Sequence, residues 1–531
     1  MESIDENILN FYEENRENKE MFNNNQINET KIKKSYIIII SLLMLTILCF
    51  SLFFILGPMK EESYNNIKDN GKLFMKIEEE TCDKGENEKC LTCEGDHCGS
   101  CNIGYKLKEG KCVFTYSFKA TYELTTSNKI FKLFNYDEKR TFKIVNIQFK
   151  GKNYNSIKTN YFPFPGTGRY EIYVLLDITE STSFYQMFYY LDKLISISFS
   201  EDFNTKNITN MSEMIEYASN LVSVNISSFN TENVKSMNMM FNGCKKLTSI
   251  GISNLNTLNL INMNKMFTNC ELLRSIDLSS FKTPKLEYMT SIFYECKSLT
   301  SIDISNLITK NVKSLFGIFY NCQSLRSINL SNFDTSNVSN MNIMFRDCIS
   351  LTSIDISNFN TKNVLIMNEM FCDCYSLTSI DISIFDTSNI KDFSSMFTGC
   401  KKLTSIDVSH FNTKNGIKMR EMFRDCQSLK SINVSNFNTS NTIDIHGMFY
   451  GCSSLTSIDI SNFDTKSMTD VGLLLDSTPK LTFIDISSLT ASNTPGFILS
   501  NPAEKGTLIV KKEFFDKMNE KFTGWSIIFV E

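Results

Sequence analysis

The stretch LTSIDISNFNTKNVLIMNEMFCDC, residues 351–374, carries two different periodicities. Ile354 and Ile356 alternate with Ser353, Asp355 and Ser357, the period of two expected of a short strand with one face buried. Met367, Met370, Phe371 and Cys374 then fall at i, i+3, i+4 and i+7, which predicts the apolar stripe of a helix. The unit recurs: Cys244, Cys270, Cys296, Cys322, Cys348, Cys374, Cys400, Cys426 and Cys452 lie 26 residues apart. The phase extends back to Ala218 and on to Thr478, and a slipped copy begins near Met187, with Leu194 one residue out of register. A strand and a helix in every repeat, always in the same direction, predict an α/β solenoid of about twelve strand-helix repeats over residues 187–500.

Each column of that stack has an expected role. Leu351, Ile354, Ile356 and Phe359 should point inward. The column Phe229, Phe333, Phe359, Phe385, Phe411, Phe437 and Phe463 should form an aromatic spine, each ring contributing about 1.5–3 kcal/mol on burial. Thr335, Thr361 and Thr387 read as a turn ladder with hydroxyls bonded to neighbouring backbone. The periodic cysteines end an apolar stripe and are odd in number, so they read as buried thiols rather than disulfides or metal ligands. Cys372 lies off the column.

The outward face is polar. Ser301, Ser353, Ser379 and Ser405 make one column, and Ser305, Ser357, Ser383 and Ser409 another. Between them run Asp277, Asp303, Asn329, Asp355, Asp381, Asp407, Asn433, Asp459 and Asp485. The aspartates are the candidate binding face. Carboxylates stacked about 4.8 Å apart repel, and a cation or a basic partner would relieve them. The plainer reading is a solvated polar face, since such loose spacing is not a dedicated Ca²⁺ site; no metal and no cofactor is called for.

Upstream, YIIIISLLMLTILCFSLFFIL, residues 36–56, has no charge and is long enough to cross about 30 Å of hydrocarbon as a helix. Its length, the 35 residues before it and the absence of a small-residue cleavage pattern argue against a removable signal peptide. Lys31, Lys33 and Lys34 precede it, so the tail 1–35 is expected in the cytoplasm and everything after the span outside or in a lumen. The tail is Asn- and Glu-rich and reads as disordered. Beyond a linker, 57–81, six cysteines fall within residues 82–112: Cys82, Cys90, Cys93, Cys98, Cys101 and Cys112. Two C-x2-C pairs could ligate zinc, but an oxidising compartment and an even count in a segment too short for its own core point to disulfides. Residues 113–186 alternate as strands and should cap the first repeat; residues 501–531 read strand, helix, strand, with Trp525 over the open end.

Laid out this way, residues 344–364, MFRDCISLTSIDISNFNTKNV, and their copies resemble the 26-residue repeat of BspA-like leucine-rich-repeat surface proteins, over roughly residues 187–500. That resemblance implies surface exposure and adhesion to host or matrix, and no catalytic residues. The segment CNIGYKLKEGKC, residues 101–112, resembles the last loop of epidermal-growth-factor-like modules, which implies a Cys101–Cys112 disulfide. The two-residue gap before Cys101 departs from the usual one, so the other pairings stay open.

The expected function is therefore a single-pass plasma-membrane surface protein binding an extracellular protein or glycan; a lumenal membrane is the other location. A structural coat without a discrete ligand is the alternative. A net charge of −5 with no basic stripe argues against nucleic acid. An enzyme is not expected: His97, His410 and His446 lie far apart, and no nucleophile, acid/base pair or ligand cluster accompanies them. Sequons at Asn207, Asn210, Asn225, Asn329, Asn337, Asn433 and Asn438 agree weakly with exposure to a glycosylation machinery.

Overall fold

A computed structural model describes residues 116–489 and 503–531, apart from 127–129, 136–141, 156–159 and 519–521, together with the backbone of four strands between 90 and 114. The tail, the apolar run 36–56 expected to cross a membrane, the linker and Cys82 lie outside the described residues. Among the described residues no helix is long and apolar enough to cross a membrane. In the cysteine-rich segment β1 (Cys90–Glu94) pairs antiparallel with β2 (His97–Cys101), setting Cys90 opposite Cys101 and Cys93 opposite Cys98. β3 (Tyr105–Lys108) pairs with β4 (Lys111–Phe114) and sets Cys112 opposite Leu107. The side chains of these cysteines, and with them the expected Cys101–Cys112 bond, lie outside the described residues.

The next strands are β5 (Phe118–Leu124), β6 (Ile130–Lys132), β7 (Lys143–Phe149), β8 (Lys152–Asn155), β9 (Tyr161–Pro163) and β10 (Gly168–Asp177). The repeats then begin with β11 (Leu194–Phe199), β12 (Ser223–Asn225) and β13 (Ser249–Gly251). One seven-stranded sheet, β13-β12-β11-β5-β10-β7-β8, joins the two regions. β11 pairs parallel with β12 on one side and antiparallel with β5 on the other, so the slipped first repeat is where the parallel stack stops. Phe118, Phe134, Phe162, Phe164 and Phe188, all 2 % exposed or less, fill the space behind this sheet.

The repeats coil, but not as strand and helix. The expected α/β solenoid is corrected to a β-solenoid of about twelve turns, marked by parallel bridges that run from Ser183 and Asn210 through Asn340 and Ile366 to Asp444 and Asp470. Among the described residues the one α-helix is α1 (Lys512–Phe515), outside the repeats. The residues read as a helical stripe do face the core: Met367, Met370, Phe371 and Cys374 are 0 % exposed. Their backbone does not follow an α-helix, whose N–H groups bond to the carbonyl four residues back. In the turn before, the N–H groups of Met341, Ile343, Phe345 and Asp347 bond to carbonyls of Ile366, Asn368, Met370 and Cys372 in the next turn. Those of Met344, Arg346 and Cys348 bond three residues back within their own turn. Two residues per turn have positive φ to make this possible, Ile343 (49°) and Asp347 (61°) here, Glu369 and Asp373 in the next. The apolar spacing is the same as a helix's, while half of the hydrogen bonds have moved between turns.

The strand segment of each turn is short. β14 (Ser301–Asp303) pairs with β15 (Ser327–Asn329), and β16 (Ser457–Asp459) with β17 (Phe483–Asp485), all parallel and in register. In turns between them the same segment holds to its neighbour through single bonds, such as Thr378 N–H to the Thr352 carbonyl at 3.2 Å.

Three side-chain ladders tie the turns together. Thr335, 1 % exposed, donates its hydroxyl to the Asn360 carbonyl at 3.0 Å and accepts the Asn360 N–H at 2.7 Å. Thr309, Thr387 and Thr413 do the same one turn on, so the threonine column is the backbone-bonding ladder expected of it. Asn337, Asn363 and Asn389 donate their side-chain amides to carbonyls of the preceding turn. Each periodic thiol bonds back as well: Cys374 Sγ donates to the Phe345 carbonyl at 3.2 Å, and Cys400 to that of Phe371 at 3.3 Å. The nine cysteines are free and buried. Burial pushes their thiols upward, in Cys452 to about 12, which keeps them protonated and unreactive. A thiol-alkylating reagent at pH 8 is therefore expected to leave all nine unmodified in the native protein and to label them after denaturation. Peptide mass mapping reads this directly, and labelling of Cys348 or Cys374 without denaturant would refute it.

The aromatic spine is a different column from the one expected. Phe229, Phe333, Phe359, Phe385, Phe411, Phe437 and Phe463 are all buried, 1–4 % exposed. Of neighbours within that column only Phe411 and Phe437 stack, at 6.5 Å, among the described residues. The continuous stack is Phe241, Phe267, Phe293, Phe319, Phe345, Phe371, Phe397, Phe423 and Phe449. At the far end β18 (Gly506–Lys511) extends the sheet beside β17 and β19 (Trp525–Val530) closes it. Trp525 is 9 % exposed and donates Nε1–H to the Ala503 carbonyl at 2.7 Å.

Candidate functional site

The outward face of the strand segments is where the sequence places candidate binding residues. Asp277, Asp303, Asp355, Asp381, Asp407 and Asp459 are exposed there and Asp485 is half-buried, each in the same position of its turn. Register confirms the neighbours directly: Asp303 faces Asn329 and Asp459 faces Asp485. Each carboxylate already has a local task. One oxygen of Asp355 accepts the Ser357 N–H at 3.0 Å, and the same turn recurs at Asp277, Asp303, Asp381, Asp407, Asp459 and Asp485, as at Asn329 and Asn433. The serine's hydroxyl and N–H hold the carboxyls of Asp277, Asp303, Asp355 and Asp407 below the usual carboxylate range; at Asp381 the Ser383 N–H is the larger cause. These five carboxylates are thus ionised at neutral pH and give up their turn bonds only as pH falls through those lowered values.

The other feature of this face is a hollow of about 670 Å³ where cap and repeats share the seven-stranded sheet. Strand register lays two rows of side chains across its floor. One row is Glu171, Thr121, Ser196, Ser223 and Ser249; the other is Lys119, Ser198, Asn225 and Gly251, with Tyr173 next to Lys119 just outside the hollow. Ser227 and Ser253 complete the rim. Lys119 and Glu171 neutralise each other at 2.7 Å, and Tyr173 donates its hydroxyl to Glu171. Gly251 occupies the position that aspartate or asparagine holds in the following turns; a Cβ there would lie 2.7 Å from Asn225 Oδ1. Sequence reasoning did not single out this site. The one signal for it is that glycine, a break in an otherwise regular column.

Among the described residues, His410 and His446 do not assemble into a site. His410 packs edge-on against Phe411, and His446 Nδ1 lies 2.9 Å from Asp470 Oδ1. The side chain of His97 lies outside the described residues. Among the described residues no group of three or more His, Cys, Asp or Glu is placed to hold a metal ion.

The family described as "Mycoplasma protein of unknown function, DUF285" matches the chain at residues 182–302, 287–381 and 377–482. No curated protein sequence matches it. Among solved structures, a leucine-rich-repeat protein from Eubacterium ventriosum is 14 % identical, covering 64 % of this chain and 91 % of its own, with a TM-score of 0.28. A leucine-rich cell surface protein from Faecalibacterium prausnitzii is 17 % identical over 51 % of this chain and 80 % of its own, with a TM-score of 0.27. A leucine-rich-repeat protein from T. pallidum is 17 % identical over 36 % of this chain and 85 % of its own, with a TM-score of 0.24.

Proposed function

The chain belongs to the family described as DUF285, and from that premise we propose that it is a membrane-anchored surface protein whose repeats bind an extracellular protein or glycan through the outward strand face. The observation that carries this reading is the face itself. About twelve turns present the same positions side by side, and the turns are held by buried threonine and cysteine ladders and by an exposed asparagine ladder at a different position of the turn. The turn cores are thus built independently of the face, so the face can change without loss of the fold. A repeat scaffold with a long, ordered, polar surface serves recognition rather than chemistry. The anchor at 36–56 and its lysine flank support a cytoplasmic tail with the repeats outside, at the plasma membrane or in a lumen.

The test uses the full chain in its native membrane. Protease added to intact cells should digest the repeats and spare residues 1–35; the reverse pattern overturns the topology. Matrix proteins and glycans offered to those cells should be retained by cells carrying the chain and not by cells lacking it. If the retained partner is basic, changing Asp355, Asp381 and Asp407 together to Asn should weaken its binding while leaving the fold intact, because Asn keeps the oxygen that caps each turn. A retained partner indifferent to this triple change would place recognition elsewhere on the face.

A further inference from the structure

We infer that the hollow floored by β5, β10, β11, β12 and β13 is a subsite for a neutral saccharide, an inference that rests on the binding function proposed above and names its ligand class. Three observations converge on it. First, the hydroxyls of Ser196, Ser198, Ser223, Ser249 and Ser253 make no side-chain hydrogen bond among the described residues; the outward Ser301, Ser353, Ser379 and Ser405 of later turns share this, but only here do such hydroxyls gather round a hollow. Each is both a donor and an acceptor, and together with the Asn225 amide they form a two-dimensional array matched to a ligand that is itself covered in hydroxyls. Secondly, the hollow carries no net charge. Lys119 and Glu171 pair with each other across one end, and Asn225 and Gly251 stand where later turns begin a file of carboxylates at Asp277. An anionic ligand finds no unpaired cation and a cationic one no unpaired carboxylate. Thirdly, Gly251 opens the floor. Every later described turn places a side chain at this position; its absence here leaves the depression, whose volume lies within the range of small-ligand sites. Tyr173, in edge contact with Tyr116 and covered by Lys119, flanks the second row beyond the hollow.

An apolar peptide side chain fits this site poorly, since the exposed floor is hydroxyl and amide rather than hydrocarbon. The open, polar shape also predicts weak affinity for one sugar and useful affinity for a chain of them, with further units running along the neighbouring strand face.

The experiment displays the full chain on cells and measures binding to an array of neutral oligosaccharides, with sialylated and sulfated oligosaccharides on the same array. Neutral glycans should bind, and a free neutral monosaccharide should compete. Gly251→Asp restores the residue type that the repeat carries elsewhere, so the protein should stay folded, with unchanged surface level and protease resistance, while neutral-glycan binding falls roughly tenfold or more from filling the hollow. Ser223→Ala with Ser249→Ala removes two hydroxyls without filling anything and should weaken binding several-fold. The inference is overturned if no neutral glycan binds, if only charged glycans bind, or if both variants bind as the native chain does. Retention of a matrix protein without any neutral-glycan binding would sink this inference alone; retention of nothing would sink the binding function with it.

Discussion

Replacing Phe371 with Ala is expected to destabilise the repeats by about 3–5 kcal/mol, the range for emptying a buried aromatic site. The ring is 0 % exposed and stacks on Phe345 at 5.6 Å and on Phe397 at 5.7 Å, nearly parallel to both. Its removal opens a cavity that the surroundings cannot close, because the turns on either side are fixed at strand spacing by their own backbone bonds. A solenoid's stability is approximately a sum over neighbouring units, so one substitution weakens two interfaces. Ser383→Ala is the matching control: the residue is exposed, its backbone N–H bond to Asp381 survives the change, and its hydroxyl is the lesser influence on that carboxylate, so the change should stay within about 0.5 kcal/mol. Chemical denaturation followed by circular dichroism reads both. Equal effects would mean that the stacked column does not carry the core.

The second large effect is expected from Thr335→Val, which keeps the shape and deletes the hydroxyl. That hydroxyl serves the carbonyl and the N–H of Asn360 at once. With valine in place, both backbone groups lose their partner, and water can reach them only from the exposed side of Asn360. An orphaned buried polar group costs about 1–3 kcal/mol, and these two part-buried groups should together cost about that much. Thr335→Ser keeps the hydroxyl and should recover most of the loss. If valine and serine behave alike, the methyl packing rather than the hydrogen bonds explains why threonine occupies this column. Hydrogen exchange at the Asn360 amide gives an independent reading: it should accelerate in the valine variant only.

Much of this architecture is legible in the residues. The 26-residue period, the inward positions Leu351, Ile356 and Phe359, the backbone-bonding threonines, the buried thiols and the slipped first turn all follow from side-chain chemistry repeated in register. The path of the backbone does not. Met367, Met370, Phe371 and Cys374 have the spacing of a helical face, yet they lie on successive tight turns. A trace of this was present in the sequence. The residue before each periodic cysteine is Gly243, Asn269, Asn321, Asp347, Asp373, Gly399, Asp425 or Gly451 in all but one turn, and these types tolerate positive φ better than others. A helix interior would have little reason to repeat them.

The candidate site divides in the same way. The outward aspartates could be placed on one face by alternation alone. Their engagement with the serine two residues on, and the meeting of Lys119 and Glu171 with Ser198 and Asn225 across four strands, required the fold, because β5 and β10 come from a region with no repeat to set its register. Sequence by itself determined which side chains are inside, how often the unit recurs and which groups need a hydrogen-bond partner. The tertiary structure decided where those partners are. An N–H can be satisfied four residues back or in the adjacent turn at similar energy, and the choice falls to the neighbour already stacked beside it, whose carbonyls stand in place along the whole length of the coil.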